Sequence, residues 1–201
     1  MNVRLNLDLS FIAGVWFNNQ LLMNQYLVNC NLITNTEEPG DVTIAVDRLR
    51  WWISNVAQNS IFIQNTETDK QQQFWGAQMN LVILPEVPTD QIIGMMLYSK
   101  LNAITEKKVL VADIQIASML SDGMRYIFDD TDDYGVFLDD GWWNDADPIW
   151  WNKELISSKD EDGTLKLNPV IHWKDVQLHW TADEVKEGNV VVHDFKKDDK
   201  R

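Results

Sequence analysis

Residues 2 to 9 alternate without exception, with Val3, Leu5, Leu7 and Leu9 on one side and Asn2, Arg4, Asn6 and Asp8 on the other. Successive side chains of a strand point to opposite faces, so this pattern commits the chain to a sheet with one apolar and one wet face. Beyond a turn-prone stretch around Gly14 and Asn18-Asn19, Tyr26, Val28, Cys30 and Leu32 alternate with Leu27, Asn29 and Asn31. A second strand paired with the first is expected, with the Cys30 thiol in the core.

After a loop at 35–40, Asp41 is read as the N-cap of a helix in which Val42, Val46, Leu49, Ile53 and Val56 recur at helical spacing. Of Trp51 and Trp52, one continues the buried stripe and the other lies at its edge. Ile61 to Ile63 and Leu81 to Leu84 are expected as short strands, with a polar connector over Thr66 to Gln73 between them. Thr89 caps a second helix whose apolar face is Ile93, Met96, Leu97, Leu101 and Ile104, and Lys107 and Lys108 suit its C-terminal end. Val109 to Met119 reads as a long strand, turned at Ser121-Asp122-Gly123 into a partner carrying Met124, Tyr126 and Phe128. Thr164 to Leu167, Val170 to Trp180 and Val190 to Phe195 read as extended segments.

Strands mostly follow strands, so the expected class is α+β: an antiparallel or mixed sheet covered by about two helices, with a long acidic, Trp-rich loop and a β-rich C-terminal part. Residues 1–128 form the core, 129–152 the loop, 153–195 an extension packed on the same core, and 196–201 a frayed tail. A chain of 201 residues with 45 % apolar residues and ten tryptophans has the material for a core without staples. Cys30 is the single cysteine and can form no intrachain disulfide. The opening residues lack a leader's basic and apolar regions, and no apolar run reaches the roughly 18 residues that span a bilayer, so the cytoplasm is the expected compartment and no membrane partner is expected.

Between Arg125 and Lys153 lie eight aspartates, four tryptophans in two adjacent pairs, and no Lys, Arg or His. Carboxylates without a counter-ion must face water, a metal or a basic partner, because burying one unpaired costs several kcal/mol. The imbalance is regional: residues 129–201 hold 9 basic and 19 acidic groups within a net charge of −14. Direct nucleic-acid binding, which draws on Lys and Arg neutralising phosphates, is thereby disfavoured.

No phosphate-binding glycine loop, nucleophile elbow, HExxH or paired CxxC occurs, so the common motif-bearing enzymes lose their support. A calcium loop would use Asp130, Asp132 and Gly135, but Tyr134 stands at a ligand position and Gly141 where a bidentate Glu belongs. A hydrolase of nucleic acid or nucleotides would bring Asp113, Asp129 and Asp130 around divalent cations, with His172 or His179 as proton carrier. Those histidines are seven apart and would face opposite ways on one strand. Trp142, Trp143, Trp150 and Trp151 among aspartates can also stack on sugars, pin the loop to the core, or anchor a protein contact steered by the negative field. Clusters at Asp129 to Asp133, Asp139-Asp140 and Asp160 to Asp162 would serve a nucleic-acid mimic that occupies a host protein's basic groove.

The stretches NLDLSFIAGVWFNNQ, DQIIGMMLYSKLNAI (Asp90 to Ile104) and DDGWWNDADP (Asp139 to Pro148) resemble a family of uncharacterised proteins of tailed phages that infect marine cyanobacteria. The resemblance covers about a fifth of the chain and implies an accessory or virion role in the infected host's cytoplasm, with no catalytic residues to carry over. The expectation is a non-catalytic protein that binds a protein partner, basic or a second copy of itself, with no cofactor beyond a possible divalent cation. Its contact surface would be Asp129, Asp130, Asp132, Asp133, Asp139, Asp140, Trp142, Trp143, Asp145, Asp147, Trp150 and Trp151.

Overall fold

The computed structural model describes residues 3–148, 158–159, 165–166 and 171–184. The first alternating run continues further than expected: β1 spans Arg4–Phe17 and pairs antiparallel along its whole length with β2, Gln20–Thr34. Gly14 lies inside the strand. The turn is Asn18-Asn19 alone, with φ of 49° and 60°, as a two-residue turn matched to strand twist requires. Leu7, Phe11, Tyr26, Val28, Cys30 and Leu32 face the core, and burial pushes the Cys30 thiol pKa up to about 12.

Among the described residues the sheet has six strands in the order β4-β3-β1-β2-β5-β6, where β3 is Ile61–Gln64, β4 Leu81–Leu84, β5 Val109–Ser118 and β6 Tyr126–Asp129. The β3–β1 and β4–β3 pairings are parallel and the others antiparallel, so the fold is α+β with a mixed sheet. A seven-residue connection at 119–125 joins β5 to β6. The short segments Ser158–Lys159 and Leu165–Lys166 pair separately as β7 and β8.

Helices α1, Pro39–Trp52, and α3, Asp90–Ile104, cover one face of the sheet. Thr89 caps α3 as expected, its hydroxyl accepting from the Ile92 N–H at 3.3 Å. Asp41 does not cap α1. Glu38 holds that position with Pro39 following, and the buried Asp41 carboxylate accepts from the Thr181 N–H and hydroxyl and pairs with Lys108 at 2.9 Å. Burial alone would raise the Asp41 pKa, but these partners outweigh it and hold it below the ordinary value. Trp52 is fully buried and Trp51 half-buried, and the helix continues as a single π-helical turn, Ile53–Ala57.

The stretch expected as a polar connector holds a helix, α2, Thr68–Gly76. It lies on the opposite face of the sheet, where Trp16, Phe74, Trp75 and Ile83 pack on Ile61, Ile63 and Leu81. Strands β3 and β4 are therefore covered on both sides, which is why they read as unbroken apolar runs. Elsewhere this face is wet. Asn6 donates to Asn29 and Asn31, Asn29 to Asn6 and Asp8, and Asn31 to Asp113, a ladder of side-chain hydrogen bonds of 2.7 to 3.0 Å across three strands.

Residues 171–180, expected as a strand, form turns instead and lead into a short helix, α4, Thr181–Glu184. Their anchor is tertiary: Trp173 and Trp180 sit either side of the buried Arg48 guanidinium, 4.6 and 3.8 Å from it. The expected segment 190–195, the tail 196–201, and Trp150 and Trp151 lie outside the described residues.

Gly94 shows how closely α3 rides on β6. A Cβ built there would come within 2.8 Å of the Phe128 Cζ, in a ring stacked beside Tyr126 and packed on Tyr134. Helix propensity alone says that Gly→Ala stabilises by up to about 1 kcal/mol. We expect the opposite sign: Gly94→Ala should cost about 2 kcal/mol in urea unfolding, because the buried ring has nowhere to move.

Candidate functional site

The acidic run folds over α3 as a loop held by its carbonyl oxygens. Indole N–H groups make four of the bonds to these carbonyls: Trp52 donates to Pro148 O at 2.9 Å, Trp173 to Ala146 O at 2.6 Å, and Trp143 to Phe137 O at 3.2 Å and Asp139 O at 3.3 Å. Trp142 reaches out of the loop to Ile83 O at 3.0 Å, its ring stacked with Trp52. An indole donates and cannot accept, so it suits a segment whose spare groups are all oxygens.

A further attachment is Lys100. Its side chain is fully buried, and its ammonium donates to the carbonyls of Trp142, Asp145 and Asp147 at 3.1, 2.8 and 2.7 Å. Burial pushes its pKa down to about 8, against the opposing pull of Asp145 and Asp147.

The carboxylates divide into groups. Asp129, Asp132 and Asp133 shape the turn after β6. Asp129 accepts from the Thr131 amide and hydroxyl at 2.8 and 2.6 Å, which holds its pKa below the ordinary value, while Asp132 accepts from the Asp129 N–H and Asp133 from the Gly135 N–H. Asp147 contacts His172 Nδ1 at 3.1 Å, and Asp145 accepts from the Asp147 N–H. Asp130, Asp139 and Asp140 are exposed.

Of the residues considered for a hydrolase, Asp113 and Asp129 stand directly opposite in register on the wet face of β5 and β6. His172 sits instead against Asp147 in the loop over α3, and His179 lies in the turn segment beside Trp180. No group of three or more His, Cys, Asp or Glu side chains able to hold a metal forms among the described residues.

What the loop does create is a groove. Trp142, Trp143 and Pro148 wall a cavity of about 300 Å³ whose floor is β4 from Leu81 to Leu84 and whose other walls are Trp75 of α2 and Asn55 and Val56 of the π-helical turn. Among the described residues the lining contains no charged side chain; its amide side chains are those of Asn55, Asn65 and Asn80. A π-helical turn often marks a functional site, and here it turns Asn55 and Val56 into the groove. The sequence pointed to Trp142 and Trp143 but not to Trp75, Lys100 or the asparagines. Lys100 had a signal, since it interrupts the apolar stripe of α3 between Leu97 and Leu101.

The fold is thus an α+β mixed sheet with helices on both faces at one end and a groove at that end. No protein-family model matches the chain, and no curated protein matches it. Among solved structures it is similar to an uncharacterized protein from Wolinella succinogenes, with TM-score 0.47 and 14 % identity, covering 65 % of this chain and 99 % of that one. It is also similar to a catalytic-residue mutant of 6-pyruvoyltetrahydropterin synthase from Plasmodium vivax, with TM-score 0.41 and 14 % identity, covering 64 % and 97 %.

Proposed function

We propose that this chain is a non-catalytic binding protein whose partner is another protein, taken at the acidic, tryptophan-bearing surface around the β4 groove. The observation that carries this reading is the groove itself: three indoles, prolines and aliphatic side chains surround a space of about 300 Å³, enough for a large side chain. Interface hot spots are built from such aromatic-walled pockets inside a polar rim. The exposed Asp139 and Asp140 adjoin Trp143 through the Asp139 carbonyl, and the exposed Glu86 follows Pro85, so the rim carries negative charge. Apolar floor and acidic rim together favour an apolar or aromatic side chain flanked by Lys or Arg. The phage resemblance makes a virion component or a host-directed accessory protein the setting for such a contact.

The test is a titration of the full chain with a fluorescein-labelled heptapeptide, Lys-Thr-Val-Phe-Val-Thr-Lys, and with its glutamate-flanked counterpart. The lysine peptide should bind and weaken as salt rises, and the glutamate peptide should not bind. Asp139→Asn with Asp140→Asn should weaken the lysine peptide about three- to tenfold and leave the unfolding midpoint unchanged, since both side chains are exposed. Equal binding of the two peptides, or binding of neither, would overturn the reading.

A further inference from the structure

Among the described residues β4 is the edge of the sheet, and the groove runs along the side that β3 leaves unpaired. Its neighbour, β3, takes every second peptide: Ile61 N–H donates to Asn80 O at 2.8 Å and Asn65 N–H to Leu84 O at 2.8 Å, the ends of a parallel ladder in which Val82 and Leu84 face β3. The peptides of Leu81 and Ile83 therefore point the other way. Among the described residues the Ile83 carbonyl is met by the Trp142 indole, whereas the Leu81 N–H, the Leu81 C=O and the Ile83 N–H are met by nothing. An edge with unpaired donors and acceptors is a template for another strand, and proteins usually blunt it with charge, proline or cover. Here the four residues are Leu, Val, Ile and Leu, and the groove lies along them with walls on either side.

We infer that the partner binds as an extended segment added to β4 as a seventh strand, with one apolar side chain in the space between Trp75, Trp142 and Trp143 and basic residues against the acidic rim. This inference rests on the protein-binding reading above and specifies its geometry. Main-chain bonds to Leu81 and Ile83 supply affinity that does not depend on sequence, and the pocket and rim supply selectivity. The Trp75 ring lines the wall such a segment would pass, and its indole N–H is buried with no acceptor among the described residues. The occupant is set by charge: the chain carries −14 overall, Glu86, Asp139 and Asp140 place part of that charge at the rim, and the described groove lining carries no charged side chain.

The experiment compares the lysine heptapeptide with two isomers that carry N-methyl groups on alternate residues, one isomer blocked along one edge of the extended peptide and the other along the opposite edge. A strand added to β4 uses one edge only, so one isomer should lose at least tenfold in affinity and the other should bind within about twofold of the parent. In the complex, the Leu81 and Ile83 amides should become protected from hydrogen exchange, while Val82 and Leu84, already bonded to β3, should change little. If both isomers bind like the parent and the Leu81 and Ile83 amides stay unprotected, strand addition is overturned and the protein-binding reading stands. If the unmodified lysine peptide does not bind, both fall.

Discussion

Lys100→Met should cost about 4 kcal/mol of folding stability, the largest effect expected of any single change in this chain. The variant keeps the length and apolar stem of the side chain but leaves the carbonyls of Trp142, Asp145 and Asp147 facing an apolar end. Each buried acceptor left unsatisfied costs about 1–3 kcal/mol, partly offset by no longer burying an ammonium. The measurement is a urea midpoint together with Trp emission, which should shift to the red as Trp142 and Trp143 gain water. An unchanged midpoint would mean that the loop is held without Lys100.

The same site predicts a pH dependence with a definite sign. The folded pKa of about 8 lies below the ordinary lysine value of 10.5. Between those values the unfolded chain still binds a proton that the folded chain has released, so stability from this site rises with pH across that window. Below about pH 8 both states are charged and the contribution is flat. The stability difference between wild type and Lys100→Met should therefore be larger at pH 10 than at pH 7 by about 2 kcal/mol. A difference that shrinks with pH would contradict the burial-driven depression.

Arg48→Met should cost about 3 kcal/mol. Arg48 is 2 % exposed, donates to Leu178 O at 2.8 Å and Ile104 O at 3.1 Å, pairs with Glu106, and separates Trp173 from Trp180. Its loss leaves two carbonyls unmet and two indole faces without their cation, so residues 171–180 should come away from α1. Arg48→Lys should recover only part of the loss, because an ammonium cannot fill a planar slot between two rings. Faster exchange of the Leu178 amide, which is bonded to Trp173 O, would report the detachment directly.

Lys100 explains a puzzle of composition. A run of eight aspartates and no cation invites the expectation of an external counter-ion, and the nearest positive charge in the chain sequence gives no hint of one inside. The fold brings Lys100 beneath that run from about forty residues away, and it binds the backbone oxygens instead of the carboxylates. Trp142 and Trp143 are neither sealed in the core nor free on a protruding loop. They are half-buried, with their N–H groups spent on carbonyls and their rings left to wall the groove.

The local patterns that a sequence carries were sufficient for most of the core strands and for α3. Alternation over residues 2 to 9 and 26 to 32 marks β1 and β2, the Thr89 cap and its stripe mark α3, and the apolar runs at 61–63 and 81–84 mark β3 and β4. These depend on nearest neighbours and on period, which are written in the chain itself. Polar composition hid α2, because Thr68–Gly76 owes its order to packing Phe74 and Trp75 on β3 and β4. The residues 171–180 were misread as a strand because Trp173, Val176, Leu178 and Trp180 look extended until Arg48 is placed between the two indoles. Whether Gly94 is a weak point of a helix or a required gap, and whether β4 ends in protein or in an open groove, depends on what lies across the fold. Such contacts join residues tens of positions apart, and only the tertiary structure decides them.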